Sequence, residues 1–191
     1  MNEEITRVKT VIDQFQEGYL HRDLDVIDDF MELFCDNGKL EVIGTNAFIK
    51  GQGEWCLDRK TVRKLVYSDW QNWGDLKLDT HNLNIHVNGN CAWFATIGTV
   101  SRIIDPSESY QNFFDDLKWI TDQEQEITVK DKLLAVMRSG INRLAEAEKG
   151  TQYTWPIRFT AVLVKEKDQW QFCQMNFSFP TIYPPDIRLT G

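Results

Sequence analysis

The chain has 191 residues, which is enough for one well-buried domain and rather short for two. Hydrophobic residues make up 42% of it and charged residues 26%, a composition that excludes a disordered or fibrous protein. A formal net charge of −8 argues against a nucleic-acid partner, because surfaces that bind nucleic acid carry a clustered basic face. We therefore expect one folded domain that does not bind nucleic acid.

The N-terminal segment MNEEITRVKTVIDQF lacks the apolar run and the small-residue cleavage site of a signal peptide. No stretch approaches the roughly 20 apolar residues that span a bilayer, so we expect a cytoplasmic protein without a membrane partner. The four cysteines show neither CxxC nor CxH spacing, and the three histidines are unsuited to share a metal. The glycine-rich motifs that bind phosphate groups are missing too. These patterns predict no metal and no cofactor.

The first third of the chain predicts three helices and one strand. The first helix has an apolar stripe at steps of three and four residues: Ile5, Val8, Ile12, Phe15 and Tyr19. A short second helix is expected after Asp23, which suits an N-cap, with a stop at Asn37-Gly38. The phrase KLEVIG is typical of a strand, and GQGEWCLDRKTVRKLV returns to helical spacing from Trp55 onward.

From Leu76 the apolar period changes to two, which is typical of strands. In LKLDTHNLNIHVNG, His81 shares a face with the aliphatic residues, so we expect it to point inward. Residues 88–90, Asn-Gly-Asn, predict a hairpin turn into the strand CAWFATIGTVSRII. A second hairpin is predicted in TWPIRFTAVLVKEKDQWQFCQMNFSFP, with its turn at residues 165–169.

Residues 105–150 lie between the two hairpins and have the pattern of an insertion. Apolar residues at helical spacing predict two helices there, one opening at Pro106 and the other capped by Thr128 and stopped by Gly150. We expect the insertion to cover either a pocket mouth or a subunit surface, with the acidic run 122–126 as its link. Helices followed by antiparallel hairpins predict an α+β domain, with helices on one face of a curved sheet.

The order of these elements resembles the SnoaL-like branch of the nuclear transport factor 2-like superfamily. The matching phrases are RDLDVIDDFM with FCDNGKLEV, the FIKGQGEW turn, SDWQNWGDLKLDTHNLNIHVNGNCAWF, and RFTAVLVKEKDQWQFCQMNFSFP. The resemblance implies one cone-shaped α+β domain over residues 1–191, with a mostly antiparallel sheet, a pocket at its open end and a helical insertion at about 105–150. It also implies a small organic ligand and a homodimer formed through the sheet.

Departures from that family bear on its chemistry. Members with ketosteroid isomerase activity use a tyrosine of the first helix as oxyanion donor and an aspartate after the first strand as proton carrier. Those positions are expected to hold Phe15 and Val42, which can do neither. Many relatives end the last strand in HxHxS, where this chain has Gln174, Asn176 and Ser178, so a base that titrates near neutral pH is missing there. Isomerase chemistry of that kind is therefore not expected.

Two residues are candidates for acid–base catalysis. Asp69 lies between Ser68 and Trp70, with Trp73 close behind, and aromatic neighbours can desolvate a carboxyl and raise its pKa. Its alternative reading is an N-cap or a surface-turn aspartate. His81 is the second candidate, as a base or a hydrogen-bond donor, and a satisfied core histidine is the alternative for it.

The expected ligand-binding residues combine tryptophans with polar groups: Trp70, Trp73, Trp93, Trp155, Arg158, Gln174, Asn176 and Ser178. Arg158 is suited either to clamp a carboxylate or to pair with a glutamate at a subunit contact. Residues 174, 176 and 178 are expected to line the pocket mouth, and the alternative is that this strand end simply reaches solvent.

Three functions stay open at this point. The first is a binding protein that holds a small organic ligand in an apolar, tryptophan-rich pocket. The second is a cofactor-free isomerase, cyclase or dehydratase that uses Asp69 or His81 as general acid or base. The third is a structural or assembly domain whose inserted helices contact a partner. A fold alone does not decide among them, because one scaffold hosts many functions.

Overall fold

The computed structural model describes residues 3–47, 49–103, 105–122, 128–149 and 152–179. The chain divides into two compact units. Among the described residues, the first unit is built from those within 3–100 and 155–179, and the second from those within 101–154. The second unit contains nearly all of the predicted insertion, and the first contains the helices and strands that surround the candidate site.

The N-terminal helices form where the apolar stripes predict them. Helix α1 spans Glu3–His21 and buries the predicted stripe from Val8 to Tyr19. A 3-10 turn at Leu24–Val26 and the short helix α2 at Ile27–Met31 follow, and the Asp23 side chain accepts a hydrogen bond from the Asp25 N–H at 3.0 Å. This confirms Asp23 as a cap, because its carboxylate satisfies an N–H that has no partner inside the helix.

The return to helical spacing begins later than predicted. Trp55–Cys56 is a strand, β2, which pairs antiparallel with β1 at Glu41–Ile43. Helix α3 spans only Arg59–Asn72, and its N-cap is Asp58, whose side chain accepts from the Thr61 N–H at 2.7 Å. The segment before it turns at Gly51 and Gly53, which both have positive φ angles that favour glycine. The predicted helical role of Trp55 is therefore wrong.

The described strands form a mostly antiparallel sheet in the order β2-β1-β7-β6-β5-β3, with β4 also pairing with β5. The remaining strands are β3 at Asp75–Leu78, β4 at His86–Asn88, β5 at Cys91–Ile103, β6 at Gln152–Glu166 and β7 at Gln169–Ser178. β1 runs parallel to β7, whereas β6 and β7 are antiparallel. The predicted α+β class with a curved, mostly antiparallel sheet is confirmed.

Both predicted hairpin turns are present. Gly89, with φ +59°, closes the turn between β4 and β5. Lys167 and Asp168, with φ of 49° and 65°, form the turn between β6 and β7, where two left-handed residues match the twist of the strands. Arg7 of α1 donates to the Asp168 carboxylate at 3.1 Å, which compensates for a left-handed aspartate at this position.

The strand predicted around His81 is interrupted. Residues 79–85 are irregular, so β3 ends at Leu78 and β4 covers only His86–Asn88. The Asp79 carboxylate accepts hydrogen bonds from the backbone and side chain of Asn82, at 3.2 and 2.7 Å. Such local bonds give the backbone an alternative to the sheet. His81 lies exposed in this bend, so the expectation that it points inward is wrong.

Helix α1 packs on the sheet through an aromatic core. The Phe15 ring stacks on Phe159 of β6 at 5.6 Å and meets Phe172 of β7 edge-on at 5.4 Å. Beside it, Gln16 is a buried polar side chain whose Nε2 donates to the Leu76 carbonyl at 2.8 Å. Its Oε1 accepts from the Leu78 N–H at 2.6 Å. These two bonds fix the rotation of α1 relative to β3 and so set the direction in which Tyr19 points.

The second unit contains two helices, as the spacing predicts. Helix α4 spans Pro106–Asp122 and helix α5 spans Val129–Lys149. The Thr128 hydroxyl accepts from the Asp131 N–H at 3.2 Å, which confirms it as the cap of α5. Gly140 of α5 lies close to the Phe113 ring of α4, and a Cβ there would make an ordinary contact at 3.7 Å. Of the predicted acidic link at 122–126, Asp122 is the last residue of α4 and the rest lies outside the described residues, as does the predicted stop at Gly150. The insertion's role stays a prediction.

Candidate functional site

The first unit encloses a cavity of about 70 Å³ between α1, α3, β7 and the turn that joins β1 to β2. This volume holds several water molecules or part of a small organic molecule. Most of the residues around it are aliphatic or aromatic, with a few polar groups: Tyr19, Thr45, Asn46, Glu54 and Asp69. An apolar wall with a few polar groups is typical of small-molecule sites.

A tyrosine and an aspartate from different helices meet in this cavity. The Tyr19 hydroxyl on α1 donates a hydrogen bond of 2.9 Å to Asp69 Oδ2 on α3. Tyr19 is only 4% exposed, and Asp69 is half-buried. Backbone bonding holds Asp69 in the last turn of α3, where its carbonyl accepts from the Trp73 N–H at 2.9 Å. The pair therefore joins a fixed phenol to a carboxyl that faces the cavity.

The surroundings favour the protonated form of Asp69. Burial raises its pKa from 3.8 to about 7, and the nearby Glu54 charge adds to this, while the Tyr19 hydrogen bond acts in the opposite direction. Burial also raises the pKa of Tyr19 well above its usual range, with the negative charge of Asp69 as the next cause. Near neutral pH Asp69 is thus able both to accept and to donate a proton, while Tyr19 remains a donor.

Glu54 brings a second carboxyl to the cavity. Its Oε2 accepts from the Asn46 N–H at 2.8 Å, and its backbone carbonyl accepts from the Gly44 N–H at 2.9 Å. A Cβ at Gly44 would collide with the Glu54 carboxylate, so a residue without a side chain is required for this turn to close. The turn between β1 and β2 therefore places Glu54 by backbone geometry.

Aromatic rings form a corner of the cavity. The Trp73 ring stands at 78° to Tyr19 and at 85° to Phe177, with centroid distances of 6.3 and 6.2 Å. Trp73 is thus the one predicted tryptophan that lines the cavity. Trp70 is 5% exposed and packs on Phe30 at 4.9 Å, behind the lining residues.

The polar residues of β7 are not cavity residues, contrary to expectation. Met175 and Phe177 line the cavity, and Asn176 and Ser178 alternate with them on the other side of the strand. The cause is a β-bulge in β7. Val162 of β6 pairs with Gln174, and the next residue, Leu163, pairs with Phe172, so Cys173 is left over. One extra residue reverses the alternation beyond it.

The other predicted ligand-binding residues lie away from the cavity. Trp93 is 43% exposed, stacks on His86 at 5.4 Å, and lines a separate open groove together with Gln174. Arg158 donates to the Phe179 carbonyl at 2.9 Å, and Trp155 packs against the Phe179 ring at 6.0 Å. Of the ten predicted site residues, the structure brings Asp69 and Trp73 together in the cavity.

Two cavity residues were missed from the sequence. Tyr19 was assigned to the apolar stripe of α1, and the position matched to the oxyanion donor was expected to hold Phe15. Tyr19 supplies a phenol one turn after Phe15. The usable signal was that a buried tyrosine hydroxyl needs a hydrogen-bond partner. Glu54 gave no such signal, because glutamate in a glycine-rich turn is usually exposed.

The first unit's sheet and helices define the nuclear transport factor 2-like fold that the sequence resemblance implied. Among solved structures, the chain is similar to a candidate dehydratase of that family from Streptomyces avermitilis, with 10% identity, a TM-score of 0.59, and coverage of 94% of this chain and 99% of that one. It is similar to a ketosteroid isomerase-like protein from Erwinia carotovora atroseptica, with 10% identity, a TM-score of 0.56, and coverage of 94% and 98%.

A candidate scytalone dehydratase from Novosphingobium aromaticivorans is also similar, with 10% identity, a TM-score of 0.53, and coverage of 93% of this chain and 84% of that one. Neither a scan against protein-family models nor a search of curated proteins gave a match. At these identities the similarity establishes the fold and leaves the function to the site itself.

The part of the chain that the structure describes contains no cluster of three or more potential metal ligands. Within the same residues, no helix has the length and hydrophobicity that crossing a membrane requires.

Removing the phenol should raise the pKa of Asp69 further. The Tyr19 hydrogen bond stabilises the charged carboxylate, so Tyr19→Phe removes a contribution that lowers this pKa. Titration of the Asp69 carboxyl carbon by NMR measures the shift. Tyr67→Phe is a matched control, because Tyr67 is an exposed tyrosine of α3. A lowered or unchanged Asp69 pKa in Tyr19→Phe would show that the phenol does not stabilise the carboxylate.

Proposed function

We propose that the protein is a cofactor-free acid–base enzyme of the SnoaL-like kind, an isomerase, cyclase or dehydratase that acts on a small organic molecule in the cavity. The observation that carries the proposal is the Tyr19–Asp69 pair. A carboxyl faces an apolar cavity, and a buried phenol is its hydrogen-bond partner at 2.9 Å. Surface aspartates are usually solvated or paired with a cation, so this arrangement favours chemistry at the carboxyl.

Each group has a role that its surroundings support. With a pKa of about 7, Asp69 is divided between its two forms at neutral pH, which is the best condition for a group that first takes and then returns a proton. Its carboxylate would remove a proton from carbon, and its acid form would protonate another carbon or a leaving hydroxyl. Tyr19 stays protonated, so it can orient Asp69 and donate to a developing oxyanion.

The names of the structural neighbours support the class of reaction in this proposal. Two are named as candidate dehydratases and one as ketosteroid isomerase-like, which describes those proteins. Dehydration and isomerisation can both proceed through a base that moves a proton, without a cofactor. His81 has no part in the proposal because it is exposed in an irregular segment. Asp69 is therefore the proposed general acid and base.

A binding protein is the second candidate, and the hydrogen bonds that both carboxyls already make favour it. Glu54 accepts from the Asn46 N–H at 2.8 Å, and Asp69 accepts from the Tyr19 hydroxyl at 2.9 Å. Polar groups held in this way can also form a hydrogen-bonding pocket that holds a ligand unchanged. The homodimer implied by the resemblance likewise stays a proposal, supported by the exposed Trp93 and Ile97 on β5.

Proton exchange distinguishes the two functions. We would incubate the protein in D₂O with a panel of small ketones and β-hydroxy carbonyl compounds and follow the carbon-bound protons by NMR. An enzyme should accelerate deuterium incorporation or loss of water, and Asp69→Asn should remove the acceleration. Binding seen as shift changes without exchange would favour the binding protein. Exchange that persists in Asp69→Asn would reject Asp69 as the base.

A further inference from the structure

The described lining of the cavity carries two carboxyl groups and no basic side chain to balance them. Asp69 and Glu54 both line it, and none of the other described lining residues is a lysine, an arginine or a histidine. The two arginines of α3 pair with other carboxylates, Arg59 with Glu32 at 3.2 Å and Arg63 with Asp28 at 2.6 Å. A carboxylate that loses water without gaining a cation is costly, so the two cavity carboxyls favour a positively charged occupant.

The aromatic walls have the same preference. Five of the lining residues are aromatic: Phe15, Tyr19, Phe34, Trp73 and Phe177. The face of an aromatic ring carries partial negative charge, which attracts an ammonium group more strongly than it attracts a neutral group of the same shape. Trp73 stands nearly perpendicular to both Tyr19 and Phe177, so the rings surround a corner rather than a flat stack. Rings around a cation in this way form an aromatic cage.

From these two observations we propose that the natural ligand or substrate is a small organic cation, an amine or a methylated ammonium compound. The inference rests on the proposed function, because it names the substrate class for the same cavity. Glu54 supplies a second carboxyl, the rings contact the methyl or methylene groups, and Asp69 faces the reacting part of the molecule. The formal net charge of −8 attracts cations over a longer range.

A cationic ligand makes binding depend on pH in a stated direction. Asp69 attracts a cation only when it is ionised, so affinity should rise as the pH increases through about 7. Three other titratable groups face this carboxyl or lie near it: Tyr19 on α1, Glu54 in the turn, and Cys56 on β2. Burial raises the pKa values of Tyr19 and Cys56, which keeps both neutral over this range. An anionic ligand would show the opposite dependence.

The test uses three probes of similar shape and different charge. Tetramethylammonium is the cation, 3,3-dimethylbutan-1-ol is the neutral probe, and pivalate is the anion, each titrated by NMR into the full chain at pH 6 and pH 8. Tetramethylammonium should bind about tenfold more tightly than the alcohol, which is the scale of a cation–π and charge contribution in a partly desolvated site. Pivalate should not bind.

Two variants connect the binding to the carboxyls. Glu54→Gln should weaken tetramethylammonium binding about tenfold. Asp69→Asn should remove the increase in tetramethylammonium affinity between pH 6 and pH 8. Glu17→Gln is the matched control, since Glu17 is an exposed glutamate of α1 that pairs with His21. It should leave the affinity unchanged.

The outcomes separate this inference from the proposed function. If the alcohol binds as tightly as the cation, or if pivalate binds, the ligand class is wrong, while acid–base chemistry on a neutral or anionic substrate remains open. If tetramethylammonium shows no binding at millimolar concentration, the inference also fails. The proposed function fails on a different result, namely exchange that Asp69→Asn does not reduce.

Discussion

Asp69→Asn is expected to lower turnover by at least about 100-fold, the usual scale for loss of a general acid or base. The amide keeps the size of the side chain and can still accept the Tyr19 hydrogen bond, but it cannot take a proton. Turnover of any substrate found by proton exchange measures the effect. Asp36→Asn, which removes an exposed carboxylate, is the control and should keep full activity. An Asp69→Asn variant that is as active as the unsubstituted chain would show that this carboxyl is not the general acid or base.

The same substitution should make the fold more stable at high pH. The folded-state pKa of Asp69 is raised from 3.8 to about 7, so between these values the folded chain holds a proton that the unfolded chain releases. The contribution of Asp69 to the free energy of unfolding is therefore fully present below about pH 4 and is lost as the pH rises to about 7. One pKa unit corresponds to about 1.4 kcal/mol. Because Asp69 faces a cavity that water can reach, we expect this loss in the free energy of unfolding to be about 1–3 kcal/mol.

Urea unfolding at pH 5 and pH 8 measures this effect. The free energy of unfolding of Asp69→Asn should exceed that of the unsubstituted chain at pH 8 and approach it at pH 5. A variant that is inactive and also more stable has lost a functional group rather than its structure, since active sites often sacrifice stability. A destabilised variant at pH 8 would mean that Asp69 supports the fold.

Gln16→Leu is expected to destabilise the fold by about 2–5 kcal/mol. The variant leaves the Leu76 carbonyl and the Leu78 N–H without their side-chain partners, and each buried group without a hydrogen bond costs about 1–3 kcal/mol. Leucine has a similar size, so lost packing is a minor part of the change. Urea unfolding measures the loss, with Gln14→Leu, an exposed glutamine of α1, as the control. A loss below about 0.5 kcal/mol would show that water replaces the amide.

The elements that could be predicted are those with strong local signals. Apolar spacing located α1, α4 and α5, and the turn residues at 88–90 and 165–169 located both hairpins. Trp55 was misassigned because a two-residue strand carries no periodicity of its own, and only its pairing with Ile43 defines it. The bend at 79–85 was misassigned because a side chain, Asp79, satisfies the backbone there.

The face of β7 shows most clearly why pattern reasoning failed at the site. Alternation was counted without interruption from Trp170 to Ser178, so the polar residues were expected to line the pocket. One unpaired residue at Cys173 places Phe172 and Met175 on the same face, and a bulge of this kind depends on the partner strand. The change from apolar to polar residues at every second position of β7 therefore marks the point where those positions switch from one face of the strand to the other.

Asp69 was a candidate because its aromatic neighbours are close in sequence. Its partner Tyr19 lies 50 residues away, and no local pattern relates the two. The carboxyl could thus be suggested from the sequence, whereas the phenol and the second carboxyl at Glu54 required the packing of α1 and the turn after β1. Local residue types indicated a possible acid–base group, and tertiary structure supplied its surroundings.

The Gln16 side chain has a second consequence, which concerns association between chains. β3 ends the described sheet, and the outer edge of such a strand presents free backbone groups that can pair with a strand of another molecule. The Gln16 amide bonds the carbonyl of Leu76 and the N–H of Leu78, the two groups on either side of Lys77 that a further parallel strand would engage. One side-chain amide thus imitates a neighbouring peptide group. It closes part of an edge where the addition of a strand from another molecule would otherwise begin.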